Sequence, residues 1–497
     1  MFSKNRLNAV STWLVVLAFC ASGAMAQQPA VPTWQATSLW PDRIIVTLDQ
    51  DPKTTFSVSW RTDASVTQTR AEVIAAEAHS RFDLGASVVE AQSQTVNLKA
   101  KEIDGTTHSL QWNTHLDSAS YHTAQFSGLN SDTLYAYRVM GAEGYWSEWL
   151  QTRTAPENAE PFTFLYFGDA QDGLDSHWAR VIRAAYRTAP DSRFAIHAGD
   201  LVNFGSRDYE WAAWFKSVSF IHGMIPALPV AGNHEYYDGI RNPEGGQLTA
   251  LSLLWRPQFA LPTYADLPPD VAETVYATRY GNTLIVTLDT MADQYFAEQA
   301  QWLDNILAAS DARWKVVAMH HPLFELLERN IPGVVDTGPE RRSLFLPIIE
   351  KHGVDIILQG HDHAYGRGAI ISRGGSRAGS RRQRISTVYV STSSGAKMYG
   401  IKNDAWRAFA DTGAVLQRQA ENTQFFQVIR ISNDAITYEA FTATKQLYDA
   451  FRIEKQSRGP NRLIELPTDL TTDRTFENTG EYVNGRYDIP PEVESPQ

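Results

Sequence analysis

Cysteine is all but absent: the chain of 497 residues has one, Cys20. That lies in a segment expected to be removed, so the mature chain would have none. A disulfide framework, a thiol nucleophile and a thiolate-held metal are thereby excluded. Any metal would have to be held by His, Asp, Asn, Gln or Tyr. Long apolar runs are missing too: past the N-terminus no segment has the roughly 20 apolar residues of a membrane-crossing helix. Excess positive charge is lacking. Lys+Arg number 44 against 56 Asp+Glu, a formal net charge of -12, which disfavours wrapping nucleic acid or lying on anionic lipid. No internal repeat is visible. What remains is ordinary globular composition, 43% hydrophobic and 20% charged, with length for more than one domain.

The N-terminus reads as a secretory signal peptide. Lys4 and Arg6 precede an apolar stretch at residues 10–21, and Ala24-Met25-Ala26 fits the small-x-small cleavage rule. Cleavage after Ala26 would export the chain to a periplasmic or extracellular space and remove two positive charges. Residues 27–39 read as a linker. Residues 40–155 carry short runs rich in β-branched and aromatic residues, such as Thr55-Phe56-Ser57-Val58-Ser59-Trp60. Turn formers separate them, which predicts an all-β sandwich; one short helix is expected near residues 70–78. From 161 to 453 strand-like runs alternate with helical spacing (Trp178, Val181, Ile182, Ala185; Trp302, Leu303, Ile306, Leu307), the pattern of an α/β domain. Residues 454–497 read as a polar tail on the surface. The loop from Arg373 to Arg384 holds five arginines among Gly and Ser and reads as a solvated insertion. Trp211, Trp214 and Phe215 have core spacing, and His177, His197, His222 and His352 read as structural.

Five apolar runs in the α/β part end in metal-capable residues. The first leads through Gly168 to Asp169 and the second through Gly199 to Asp200. The third leads through Gly232 to Asn233 and His234. The fourth reaches His320 and His321, and the fifth passes Gly360 to His361 and His363. Carboxyl ends of sheet strands are where α/β folds gather ligands, and a rigid strand fixes a ligand in place. Glycine before the ligand permits a sharp turn and close approach. Hard oxygens mixed with imidazoles suit Zn, Mn or Fe better than Ca or Mg. Six ligands exceed what one open metal takes, whereas two metals sharing a carboxylate fit, a recurrent device for hydrolysing phosphoesters. Counting from the strand favours His320 over His321 as ligand.

In these motifs — GDAQ (168–171), GDLVNFG (199–205), GNHE (232–235), VAMH (317–320) and GHDH (360–363) — the chain resembles the calcineurin-like metallophosphoesterases, and within them the purple acid phosphatases. The β-rich stretch ahead of them resembles the fibronectin-type-III-like N-terminal domain of the plant-type enzymes. The resemblance implies a four-layer αββα catalytic domain and two divalent or trivalent transition metals (Fe, Zn or Mn). It implies Asp200 as the shared ligand, Asp169 and His363 on one metal, and Asn233, His320 and His361 on the other. His234 would contact the phosphoryl group, as would Asn233, or donate a proton to the leaving oxygen. The implied reaction is in-line hydrolysis of a small-molecule phosphate monoester by hydroxide generated at the metals.

Two positions depart from the purple pattern. Asn203 stands where those enzymes have the tyrosine ligand of ferric iron, so the colour is not expected. The first motif reads Asp-x-Gln, so Gln171, or alternatively Asn203, would complete the first metal's shell. His321, Tyr365 and Arg367 flank the motifs and are candidates to line the substrate pocket. The sequence leaves open a phosphodiesterase or nucleotidase with the same centre and, outside enzymes, a binding protein with a degenerate catalytic domain.

Overall fold

The computed structural model describes residues 32–479, apart from 104, 111–112, 114, 242–246, 328–337, 372–381 and 457–458. The expected signal peptide and most of the arginine-rich loop lie outside the described residues. Two antiparallel sheets build the N-terminal part. One runs Gln92–Asn97, Ser118–Phe126, Phe56–Asp63, Asp42–Leu48. The other runs Leu150–Arg153, Leu134–Val139, Arg70–Ala75, Ser87–Glu90. Phe56, Val58 and Trp60 alternate inward from the first and meet Val73, Tyr135, Tyr137 and Val139 from the second, as a sandwich requires. The helix expected near residues 70–78 is instead the strand Arg70–Ala75. Ala71 and Val73 point inward with period two, and that packing outweighs the local helical propensity.

The opposite face of the first sheet serves the second domain: Ile45, Ala119 and Tyr121 pack into the large core of the α/β part. An ion cluster is buried at this seam. Asp208, the first residue of helix Asp208–Val218, receives Arg43 Nη1 at 2.9 Å and Arg61 Nη1 at 3.2 Å. Arg61 also holds Asp42 at 2.6 Å. Burial would push the Asp208 carboxyl up, but the two guanidiniums outweigh it and hold it below the usual carboxylate range. Removing one partner of a buried pair leaves uncompensated charge. Asp208→Ala is therefore expected to destabilise the chain by about 3–5 kcal/mol, measured as a lower urea midpoint. Since the folded pKa lies below the unfolded value of about 3.9, this stabilisation is full above that pH. It is lost as pH falls through the folded value, so the two proteins' stabilities converge in acid.

In the α/β part, the strands Ala227–Pro229, Ala195–His197 and Phe162–Phe167 are parallel. Phe425–Ile431, Ala435–Thr442 and Leu447–Glu454 extend their sheet antiparallel. The second sheet runs Tyr276–Tyr280, Thr283–Leu288, Trp314–Met319, Ile356–Gln359, Arg382–Ser391, Tyr365–Ile371, Ala414–Ala420. Its central strands, Thr283–Leu288, Trp314–Met319 and Ile356–Gln359, are buried on both faces. Val316, Ala318, Ile356, Leu358, Val388 and Val390 share a core with Phe164 and Val428 of the first sheet. Their neighbours Val317, Met319, Ile357 and Tyr389 pack with Trp302, Leu303, Phe345 and Ile349 of the helices Phe296–Ala309 and Gly338–His352. With Ala179–Thr188 and Asp208–Val218 outside the first sheet, the layers run helix, sheet, sheet, helix.

The tail is not a surface drape throughout. Strand Asn461–Glu465 pairs with Leu447–Glu454 on one side and Arg382–Ser391 on the other, joining the two sheets. Leu463, at 1% exposure, anchors it. The last arginines of the Arg-rich stretch, Arg382 and Arg384, belong to the partner strand. Among the described residues no helix is long and apolar enough to cross a membrane.

Candidate metal centre

The five loops predicted from sequence meet at the carboxyl ends of Phe162–Phe167, Ala195–His197, Ala227–Pro229, Trp314–Met319 and Ile356–Gln359. Asp169, Asp200, His361 and His363 all have positive φ, between 47° and 73°. For non-glycine residues this conformation is strained and concentrates at functional sites. His361 and His363 both turn toward the centre from this conformation. Two glycines permit the crowding. A Cβ on Gly199, whose φ is 85°, would lie 2.4 Å from His320 Nδ1, and one on Gly232 would lie 2.3 Å from Asp200 Oδ1.

The polar atoms converge with their lone pairs facing inward. His320 Nδ1 donates to Ala198 O at 2.8 Å, so Nε2 is left as the acceptor. That nitrogen lies 3.0 Å from Asn233 Oδ1, 3.2 Å from His361 Nδ1 and 3.2 Å from Asp200 Oδ2. His363 Nδ1 donates to Lys397 O at 2.9 Å, aiming Nε2 at Asp169 Oδ1, 3.4 Å away. Gln171 sits between the halves. Its Nε2 reaches Asp200 Oδ2 at 2.9 Å and His363 Nε2 at 3.1 Å, while its Oε1 is buried without a partner among the described residues. Turning the amide over would present that oxygen to the same centre, since the two amide atoms are interchangeable by rotation. Asp169, Asp200 and His320 offer atoms within 4.8 Å of one another, as do His320, His321 and His361.

The two buried carboxyls shift in opposite directions. Burial and the nearby Asp200 push the Asp169 carboxyl well up, despite His320. Asp200 overcomes its burial and is lowered by His320 and His234. His320 would be lowered by burial, yet Asp200 raises it to about 9. Two buried carboxylates and the lone pair of a buried imidazole crowd one space, an arrangement that a cation would relieve. The donor set, carboxylate with amide oxygen and imidazole, suits a transition metal.

Asn203 does not compete for this position. Its side chain donates to Asp172, and its carbonyl accepts from His234 Nδ1 at 2.5 Å. His234 Nε2 consequently faces the site, 3.9 Å from Asp200 Oδ2. Burial lowers the His234 pKa against the pull of Asp200. His321 lies beside the centre, its ring 4.0 Å from that of His361 and its Nδ1 2.8 Å from Thr290 Oγ1. Tyr365 and Arg367 are not pocket residues. The strand Tyr365–Ile371 turns both inward, where Tyr365 donates to Asp449 at 2.7 Å. Arg367 bonds Asp449 at 2.9 and 2.8 Å, and Glu465 of the tail strand at 2.8 Å.

Two contributors are not evident from sequence. Glu235 is fully buried and accepts the backbone N–H groups of Asp200, Leu201 and Gly232 at 2.9, 2.8 and 2.8 Å. It thereby holds the Asp200 loop in its strained conformation. Partners that orient metal ligands typically affect metal affinity 10–100-fold. Glu235→Gln, which replaces an acceptor oxygen by a donor, is expected to weaken metal binding by roughly that factor, measured by competition with a chelator. Lys397 is the second; its carbonyl orients His363.

A family model described as calcineurin-like phosphoesterase matches residues 162–365, and one described as the purple acid phosphatase N-terminal domain matches residues 41–154. Among curated proteins the chain is similar to an uncharacterized protein of Mycobacterium tuberculosis, 28% identical over 278 residues, 49% of this chain and 50% of that one. It is also similar to purple acid phosphatase 1 of Ipomoea batatas, 24% identical, covering 51% and 53%. A third is the Fe(3+)-Zn(2+) purple acid phosphatase 12 of Arabidopsis thaliana, 23% identical, covering 51% and 54%. The chain spans about half the length of these relatives. Among solved structures, a purple acid phosphatase from yellow lupin (Lupinus luteus) seeds superposes with a TM-score of 0.64 at 17% identity, covering 84% of this chain and 75% of that one. PhoD superposes at 0.58 and 13% identity, covering 90% and 96%. These likenesses show the same fold.

Proposed function

The chain joins a purple acid phosphatase N-terminal domain to a calcineurin-like phosphoesterase domain, and from this premise we propose that it hydrolyses phosphate monoesters with two transition-metal ions. The observation that carries the reading is the inward-facing set of Asp169, Asp200, Asn233, His320, His361 and His363, with two imidazole tautomers fixed by the carbonyls of Ala198 and Lys397. Asp200 stands between the two groups. Asp169, His363 and the free amide oxygen of Gln171 would hold one ion; Asn233, His320 and His361 would hold the other. The named relative with iron and zinc supports a mixed pair, and the donor set admits Fe, Zn or Mn. Position 203 offers no phenolate, which supports a centre without the purple colour.

Bound there, the ions supply Lewis acidity toward phosphoryl oxygens and a nucleophile near neutral pH. The chain's own groups do the remaining work. Asp200 and Asp169 fix the spacing of the two positions. The His234 backbone N–H holds Asp200 Oδ1 at 2.9 Å, and its Nε2 faces the space where a phosphoryl group would lie. From there it can bond a phosphoryl oxygen or pass a proton to the leaving oxygen. The reading includes export, supported by Lys4, Arg6 and the apolar stretch before Ala26. Assaying the purified protein on an aryl phosphate and on a bis-aryl phosphate tests the reaction. Faster turnover of the monoester is expected; faster turnover of the diester would make the chain a phosphodiesterase.

A further inference from the structure

The strand Arg382–Ser391 ends beside the metal centre, and the chain then runs onto the Asp169 loop. Ser394 N–H donates to Gly168 O at 2.7 Å and Gly395 N–H to Asp169 O at 2.8 Å. The approach leaves no room for a side chain: a Cβ on Gly395 would lie 2.3 Å from Gln171 O and 2.5 Å from Asp169 O. Lys397 follows, with its carbonyl on His363 Nδ1 and its ammonium 3.5 Å from His234 Nε2. The residue is 6% exposed. Among the described residues its ammonium pairs with no carboxylate; its neighbours are the imidazole of His234 and the ring of Tyr399, 5.8 Å away. Its charge reaches the Asp169 carboxyl without forming an ion pair, and a buried ammonium so loosely partnered is costly. A site that repeatedly binds and releases an anion supplies a reason to keep one.

We propose that Lys397 is a specificity residue that, together with His234, grips a peripheral oxygen of a terminal, dianionic phosphoryl group. The inference rests on the phosphoester reading above and adds the substrate's charge class to it. A monoester presents two negative charges on its peripheral oxygens near neutral pH, whereas a diester presents one and places an alkyl or aryl group in the same space. A fixed ammonium aimed at those oxygens strengthens as charge builds in the transition state. It therefore favours the dianion over the monoanion.

The test compares the metal-loaded wild type with Lys397→Met and Lys397→Arg. With Lys397→Met, kcat/KM for an aryl phosphate is expected to fall about 10²-fold. The value for a bis-aryl phosphate should fall by less than about tenfold, and metal content by elemental analysis should not change. Inorganic phosphate, titrated calorimetrically, should bind Lys397→Met about tenfold more weakly, and Lys397→Arg should retain most of the wild-type values. Equal losses on both substrates, or unaltered phosphate binding, would overturn the proposal. Loss of metal from both variants would also overturn it, assigning the Lys397 side chain to support of the metal centre. Should the wild type hydrolyse neither substrate, the phosphoester reading fails, and the phosphate titration still decides the role of Lys397.

Discussion

Asp200→Asn is expected to empty the centre and abolish phosphoester hydrolysis together. The carboxylate is 1% exposed, lies 3.2 Å from His320 Nε2 and accepts from Gln171 Nε2 at 2.9 Å, so it faces both halves of the ligand set. An amide removes the negative charge and puts two protons where lone pairs converge. Groups that merely orient ligands are worth 10–100-fold in affinity; loss of a shared ligand should exceed about 10²-fold. Elemental analysis and an aryl phosphate assay on the same sample check this. The fold should persist, because the apolar core does not use this side chain.

His234→Ala separates chemistry from metal binding. The backbone N–H that supports Asp200 is kept, while the imidazole facing the phosphoryl space is lost. Metal content is expected to remain at the wild-type level and kcat to fall roughly 10²–10⁴-fold, the range for a positioned acid or base. The deficit should shrink for substrates with good leaving groups, if His234 protonates the leaving oxygen. A uniform deficit across leaving groups would leave His234 as a phosphoryl contact.

The site was legible where chemistry and backbone coincide. Each motif places a metal-capable residue directly after an apolar run, and in four of the five a glycine precedes it, so the strand end and the close approach can both be read from one line of letters. Glu235 was not legible as a support. It sits inside GNHE, but its role depends on N–H groups 34 and 35 residues away. Lys397 was hidden because a lysine in a Ser-Gly loop is ordinary; the available signal was Gly395 just past a strand end. Tyr365 and Arg367 suggested a pocket because they follow GHDH. Being two apart, they share one face of a strand, and that face meets Asp449, some 80 residues later. Asn461–Glu465 escaped notice because five residues with one buried leucine carry little periodic signal. Its place is set by two neighbouring strands.

The central claim is that the six inward-facing donors of this chain hold two catalytic ions. Metal-free protein, prepared with a chelator and titrated with Zn, Mn or Fe while aryl phosphate hydrolysis is followed, measures this directly. Activity should be absent without metal and rise to a plateau at two ions per chain. Hydrolysis that survives complete metal removal, or a protein that takes up metal and hydrolyses no phosphoester, would contradict it.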